Sequence, residues 1–217
     1  MWRELRTVLL LATLALPASV HGAVVEVQVK DDRGKPVEDA VVYVTVPAAT
    51  TAKERASAVM DQINQEFVPY VLAVGTGSAV NFPNRDNIRH HVYSVSTQKK
   101  FELPLYIGTP AAAVVFDQPG VIVLGCNIHD WMVGYIFIVP GAAFAKTAGD
   151  GRARIENVGT GTVEVRVWHP RLKVATETTG KPVTVDGGGT GETVFTIGLK
   201  REWRVPRPAG ERYQRSN

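Results

Sequence analysis

Cysteine is almost missing from this sequence: Cys126 is the only one among 217 residues. An internal disulfide is therefore excluded, and the stability of the fold must come from its core or from a metal. Beyond the N-terminal segment, long hydrophobic runs are missing too, which excludes a membrane span in that part of the chain. Neither sign of charge is in large excess, because the formal net charge is only +3. So mild a balance gives no support for nucleic-acid binding.

The first residues have the three-part pattern of a secretory signal. Arg3 and Arg6 precede an apolar run from Val8 to Leu16, and a proline and small residues follow. This pattern predicts a signal peptide over residues 1–23 and an exported, soluble mature chain; an N-terminal anchor that stays attached is the alternative. Export raises a question about Cys126, because an unpaired thiol in an oxidising compartment needs an explanation.

Most of the remaining sequence has the composition of β-strands. Short β-branched and aromatic segments such as VVYVTV and VGYIFIV alternate with turn residues about every ten positions, which is typical of a β-sandwich or barrel. One stretch, residues 51–65, has helix-forming composition without an apolar stripe, and it predicts a linker with a helical turn. Residues 200–217 are basic and proline-bearing, and they predict a flexible tail. The sequence thus predicts an all-β fold.

The segment GCNIHDWMVGYI places Cys126, His129 and Met132 at steps of three residues. Its flanks, VIVLG and VGYIFIV, have strand character, so these three residues are predicted to lie on a loop joining two strands. A thiolate, an imidazole and a thioether form a soft ligand set that suits copper, and a blue-copper site needs a second histidine. His90 and His91 are the main candidates, and only one of two adjacent strand residues can face the metal.

These residues resemble the metal-binding parts of the cupredoxin family. The C-x-x-H-x-x-M loop is similar to the short copper loop of amicyanin, and VNFPNRDNIRHHV and FDQPGVIVLGC resemble the strands that supply the other ligands. The resemblance implies one type 1 copper bound by His90, Cys126, His129 and the axial Met132. His91 would occupy the position of a residue that braces the copper loop, and the choice between His90 and His91 stays open.

Among cupredoxins, the chain looks most like periplasmic methylamine utilization proteins. That resemblance implies a periplasmic carrier of single electrons between redox partners, with a dehydrogenase as donor and a cytochrome as acceptor. His129 would be the exit for the electron if its ring edge reaches the surface, and Trp131 either borders the docking patch or packs beneath the loop. An enzymatic role is not expected, because no histidines are left for a second copper centre. A copper carrier or sensor and a metal-free interaction module are the alternatives.

The segments on either side of the copper-binding stretch resemble two parts of a carboxypeptidase regulatory-like sandwich. Residues 24–47 with 142–199 are therefore predicted to form a second small β-sandwich, into which a cupredoxin Greek-key sandwich over residues 59–139 is inserted. A tandem arrangement, with residues 24–139 as one domain, is the alternative. His169 has no soft ligand near it in the sequence, and we interpret it as a structural residue.

Overall fold

The structure is a computed structural model that describes residues 22–45, 57–110, 112–141, 143–202 and 205–207. All but the last two residues of the predicted signal segment lie outside this description, as does most of the tail. Among the described residues, no helix is long and apolar enough to cross a membrane.

The predicted all-β fold is confirmed, because the described residues form strands and one single-turn 3-10 helix at Thr176–Thr179. The strands are β1 (Ala23–Asp31), β2 (Val41–Thr45), β3 (Ser57–Val59), β4 (Asp61–Ile63), β5 (Glu66–Val68), β6 (Val71–Gly75), β7 (Ser78–Asn81), β8 (His90–Ser94), β9 (Phe101–Tyr106), β10 (Val114–Phe116), β11 (Gly120–Gly125), β12 (Val133–Val139), β13 (Phe144–Lys146), β14 (Arg152–Val158), β15 (Gly161–Trp168), β16 (Lys181–Val185) and β17 (Thr190–Ile197).

Strands from the two ends of the chain form one sandwich. One sheet has the order β14-β1-β17 and the other has the order β13-β2-β15-β16. In β1, Val25, Val27 and Val29 are buried at every second position, as expected for a strand with one face on a core. Their cluster includes valines and isoleucines of both sheets, such as Val167 and Ile155. The N-terminal and C-terminal strands therefore share one hydrophobic core.

The middle of the chain forms a second sandwich. A five-stranded sheet, β6-β12-β11-β8-β9, packs over a three-stranded sheet, β10-β7-β3, and β4 and β5 form a separate hairpin. Their shared core contains Phe82, Phe116, Ile122 and Ile136, and it extends to Cys126 at one end. The division into two domains, with the second inserted into the first, remains our proposal.

The prediction of a helical turn in the linker over residues 51–65 was wrong for its described part. Residues 46–56 lie outside the description, but β3 pairs in parallel with β7, and β4 pairs with β5. Met60 and Gln62 are fully buried, and Gln62 donates hydrogen bonds to the carbonyl oxygens of Phe82 and Pro83. Burial and long-range hydrogen bonds here outweigh the intrinsic helix preference of these residues.

The two sandwiches contact each other through the outer faces of β2, β6, β12 and β15. β2 and β12 are apolar at consecutive positions because their two faces pack on different cores: Phe137 faces this contact, whereas Ile136 faces the interior of its own sandwich. Phe137 and Trp168 stack with ring centroids 4.6 Å apart and an interplanar angle of 3°. Tyr43 packs on the same phenylalanine at 5.6 Å. A buried aromatic cluster therefore joins the sandwiches.

We expect Trp168→Ala to lower the free energy of unfolding by about 3–5 kcal/mol, because it removes the largest side chain of this cluster and leaves a cavity. Urea denaturation measures the change, with Trp168→Phe as the control that keeps an aromatic ring against Phe137. A loss in Trp168→Ala no larger than that in Trp168→Phe would contradict a structural role for the stack.

His169 follows the stacked tryptophan and is 6% exposed. The Arg171 backbone N–H donates to its Nδ1 at 3.1 Å, so this nitrogen is unprotonated. Burial, reinforced by the positive charge of Arg171, lowers the pKa of His169 to about 4 from an ordinary 6.5. This placement fits the structural interpretation of His169.

Because the unfolded chain takes up a proton at His169 before the folded protein does, His169 should destabilise the fold as the pH falls. The free energy of unfolding should fall by on the order of 3 kcal/mol from this group as the pH drops from 6.5 to 4. In His169→Asn, whose side-chain oxygen can accept the same hydrogen bond without titrating, the pH dependence measured by urea denaturation should be weaker by that amount. Parallel pH profiles for the two proteins would refute the assignment.

Candidate metal centre

Two strand ends and one loop bring three metal-ligating side chains together. His90 is the first residue of β8, Cys126 directly follows β11, and His129 lies in the loop between β11 and β12. Because β8 and β11 are antiparallel neighbours, the start of one lies beside the end of the other. The ligating atoms of the three residues all lie within 4.8 Å of one another, and all three side chains are buried.

A glycine permits the close approach of these two strands. Gly125 is paired with Tyr93 immediately before Cys126. A Cβ atom at this position would lie 2.8 Å from the Tyr93 ring, which is too close for an ordinary contact. The glycine therefore allows β11 to deliver Cys126 beside β8.

The donor atoms in the cluster face one another at short range. His90 Nδ1 lies 3.1 Å from His129 Nδ1, and Cys126 Sγ lies 3.6 Å from the same His129 nitrogen. Two imidazole nitrogens and one sulfur that converge in a buried space match the nitrogen and sulfur ligation of Zn²⁺ or copper. The cluster can therefore hold a transition-metal ion.

Asp86, to which the sequence alone assigned no role, determines the orientation of the His90 ring. Its carboxylate lies 2.7 Å from His90 Nε2 and accepts a hydrogen bond from the N–H group at that position. His90 Nδ1, the nitrogen that a metal would bind once its proton is lost, then faces Cys126 and His129. The backbone N–H groups of Asn64 and Gln65 donate to the same carboxylate, at 2.6 and 2.8 Å. An acidic residue four positions before His90 was the available signal in the sequence.

The structure places His91 away from the cluster. Its ring extends from the other side of β8 and meets Glu102, with Nε2 2.7 Å from Oε1. Its backbone N–H, however, hydrogen-bonds to Cys126, as does that of Ile128. Of the two adjacent histidines, His90 therefore contributes its imidazole to the cluster, and His91 contributes its backbone N–H.

These contacts favour a thiolate at Cys126. Burial alone would raise the pKa of the thiol, but the hydrogen bonds from His90 and from the His91 and Ile128 backbone outweigh it and lower this pKa. For His90 the opposing effects are burial, which disfavours the imidazolium, and the hydrogen bonds to Cys126 and Asp86, which raise its pKa overall. The thiolate is the form of cysteine that binds metals.

Met132, the predicted axial ligand, lies at the end of the same loop. It is 1% exposed and belongs to the same buried cluster as Cys126. Its backbone N–H donates to the His129 carbonyl oxygen at 2.9 Å, which closes a turn between the two residues. The burial and position of Met132 are compatible with an axial role, and ligation by its sulfur stays a prediction.

The rim of the site consists of His129 and Trp131. His129 is 7% exposed, so little of its ring reaches solvent. The Trp131 ring lies beside it, with centroids 5.1 Å apart. Trp131 is half-buried, and it thus packs against the loop rather than projecting from it.

Comparisons with solved structures return copper proteins. The chain is similar to a purple cupredoxin from Nitrosopumilus maritimus at 22% identity (TM-score 0.34; 39% of this chain, 100% of that chain). A reduced copper(I) amicyanin variant also matches at 22% identity (0.35; 45% and 98%). A nitrite reductase from Thermus scotoductus matches at 25% identity (0.37; 44% of this chain), and the match spans only a quarter of that enzyme. No family model and no curated protein matches the sequence.

The hydrogen-bond pattern predicts that His90, and not the adjacent His91, keeps the thiol pKa low. In the metal-free protein, His90→Leu should raise the pKa of Cys126, because it removes the imidazole partner. His91→Leu is the matched control, since it changes the neighbouring ring but keeps the backbone N–H. The ultraviolet absorbance of the thiolate, followed against pH, measures the Cys126 pKa in both variants. Equal shifts in the two variants would contradict the assignment.

Proposed function

We propose that this chain is a periplasmic protein that carries single electrons on one type 1 copper ion, held by His90, Cys126, His129 and Met132. The observation that supports the proposal most directly is the buried convergence of His90 Nδ1, His129 Nδ1 and Cys126 Sγ. Two imidazoles and one thiolate with a weak thioether form the ligand set of blue-copper electron-transfer sites. A copper ion bound there would supply reversible one-electron chemistry.

Rigid ligands favour electron transfer over metal exchange. The orientation of His90 is fixed by Asp86, and the Cys126 sulfur receives two backbone hydrogen bonds. The loop that carries His129 is closed by the Met132 N–H. Since the three ligand side chains are also buried, a change of oxidation state would require little rearrangement, and a chelator would have poor access. A carrier of electrons is therefore a better fit than a copper carrier or sensor, and we propose no enzymatic role.

The proposed location and partners rest on the sequence. Residues 1–23 have the pattern of an export signal, which would place the mature protein in the periplasm. Its resemblance to methylamine utilization proteins suggests a dehydrogenase donor and a cytochrome acceptor. We propose no nucleic-acid partner and no membrane attachment after removal of the signal.

Titration of the mature protein with Cu(II) tests the proposal. An intense thiolate-to-copper absorption band should grow to saturation at one equivalent, because a single cysteine is available. The band should vanish in Cys126→Ser and persist in His91→Leu. Voltammetry of the loaded protein should then give a reversible one-electron wave.

Two results would count against this function. Weak copper bands of equal intensity in the native protein and in Cys126→Ser would exclude the thiolate as a ligand. An intense band without a reversible wave, combined with rapid loss of copper to a weak chelator, would favour a copper carrier or sensor instead.

A further inference from the structure

Arg207 contacts the sandwich that carries the candidate metal centre, although it belongs to the segment predicted to be a loose tail. Its Nη2 donates to the carbonyl oxygens of Asn64 and Gln65, at 2.6 and 3.3 Å. The same nitrogen lies 3.6 Å from a carboxylate oxygen of Glu66, and the side chain is only 18% exposed. The guanidinium carbon also lies 5.8 Å from the centre of the Trp131 ring. One side chain thus joins the turn between β4 and β5 to the loop between β11 and β12.

The first of these contacts leads to His90. Asn64 and Gln65 have left-handed backbone conformations, with φ of 56° and 58°, and form the tight turn of the β4–β5 hairpin. Their N–H groups hold the Asp86 carboxylate, and that carboxylate orients His90. Arg207 binds the carbonyl oxygens of the same two residues. It therefore restrains the turn that fixes Asp86, and hydrogen-bonded groups in such a chain polarise and strengthen one another.

The second contact leads to His129. Trp131 lies on the loop between β11 and β12, two residues after His129, and the centroids of the two rings are 5.1 Å apart. Its buried indole Nε1 has no hydrogen-bond partner in the described part of the chain. Packing contacts, and not a hydrogen bond, therefore position the indole, and the guanidinium contributes one of them as a cation–π interaction. Displacement of Arg207 would free Trp131 to move against His129.

We infer that Arg207 is a positioning residue for both histidine ligands. It holds His90 through the 64–65 turn and Asp86, and it holds His129 through Trp131. The role rests on the proposed copper function, but the contacts themselves exist without metal. Arginine suits this position better than lysine, because one guanidinium nitrogen can donate to both carbonyl oxygens while the planar face of the group lies near an aromatic ring.

The metal-free protein provides the first test. In Arg207→Ala, the NMR resonance of the Trp131 indole N–H, assigned with Trp131→Phe, should shift, as should the backbone amides of Asn64 and Gln65. Arg201→Ala is the matched control, since it removes an exposed arginine of the same segment. Unchanged resonances in Arg207→Ala, or the same shifts in Arg201→Ala, would overturn the inference.

The copper-loaded protein provides the second test. Loss of a group that orients metal ligands typically costs tenfold or more in metal affinity, so copper release to a chelator should be about tenfold faster in Arg207→Ala. The position of the visible band should also change, which a general loss of stability would not cause in folded protein. Arg207→Lys should slow copper release only part of the way back to the native rate, since an ammonium lacks the planar face that lies near Trp131.

The outcomes separate the two proposals. Shifted indole resonances with an unchanged release rate and band would overturn the positioning role while leaving the copper function intact. A native protein that shows no intense band with copper would refute the proposed function, and the positioning role with it, even if the resonances shift.

Discussion

The hydrogen bond between Asp86 and His90 is the constraint on which the geometry of the centre depends. It holds the Nε2 side of the ring against the carboxylate and thereby directs Nδ1 toward Cys126 and His129. Without it, the ring could present either nitrogen, and the imidazole hydrogen bond to Cys126 would lose its direction. The carboxylate is in turn fixed by the hairpin turn at residues 64 and 65. A short chain of part-buried hydrogen bonds thus links the hairpin turn to the ligand cluster.

The rigid framework around the centre comes from two sandwich cores and the aromatic cluster that joins them. β2 and β12 each bury both faces, one against their own sandwich and one against the aromatic cluster between the sandwiches. β12 also begins directly after Met132, so the loop bearing His129 is anchored at one end in a strand buried on both sides. Close packing of this kind resists small displacements, which is the property that a site with fixed ligand distances requires.

Local patterns predicted the strands and the ligand loop, because alternating and β-branched segments identify strands and the spacing in CNIHDWM identifies candidate ligands. The choice between His90 and His91 could not be predicted, since strand periodicity separates the two but does not say which one faces inward. The strands at residues 57–63 were missed because burial of Met60 and Gln62, not composition, determines their conformation. Asp86 is held by backbone N–H groups 22 and 21 positions away, and Arg207 and Asn64 are 143 positions apart, so local patterns could not identify these contacts.

The pairing of β1 with β17 has a consequence for the order of assembly. These strands lie side by side in parallel, and their pairing runs from Val24 with Thr190 to Asp31 with Ile197. Their sheet therefore cannot form until the chain has been synthesised or exported almost to its end. The strands around Cys126 have no such requirement, since every partner of theirs precedes residue 140. A chain delivered from its N-terminus can therefore complete the ligand cluster first and the terminal sandwich later. Arg207 arrives after both, as the final contact on a centre already formed.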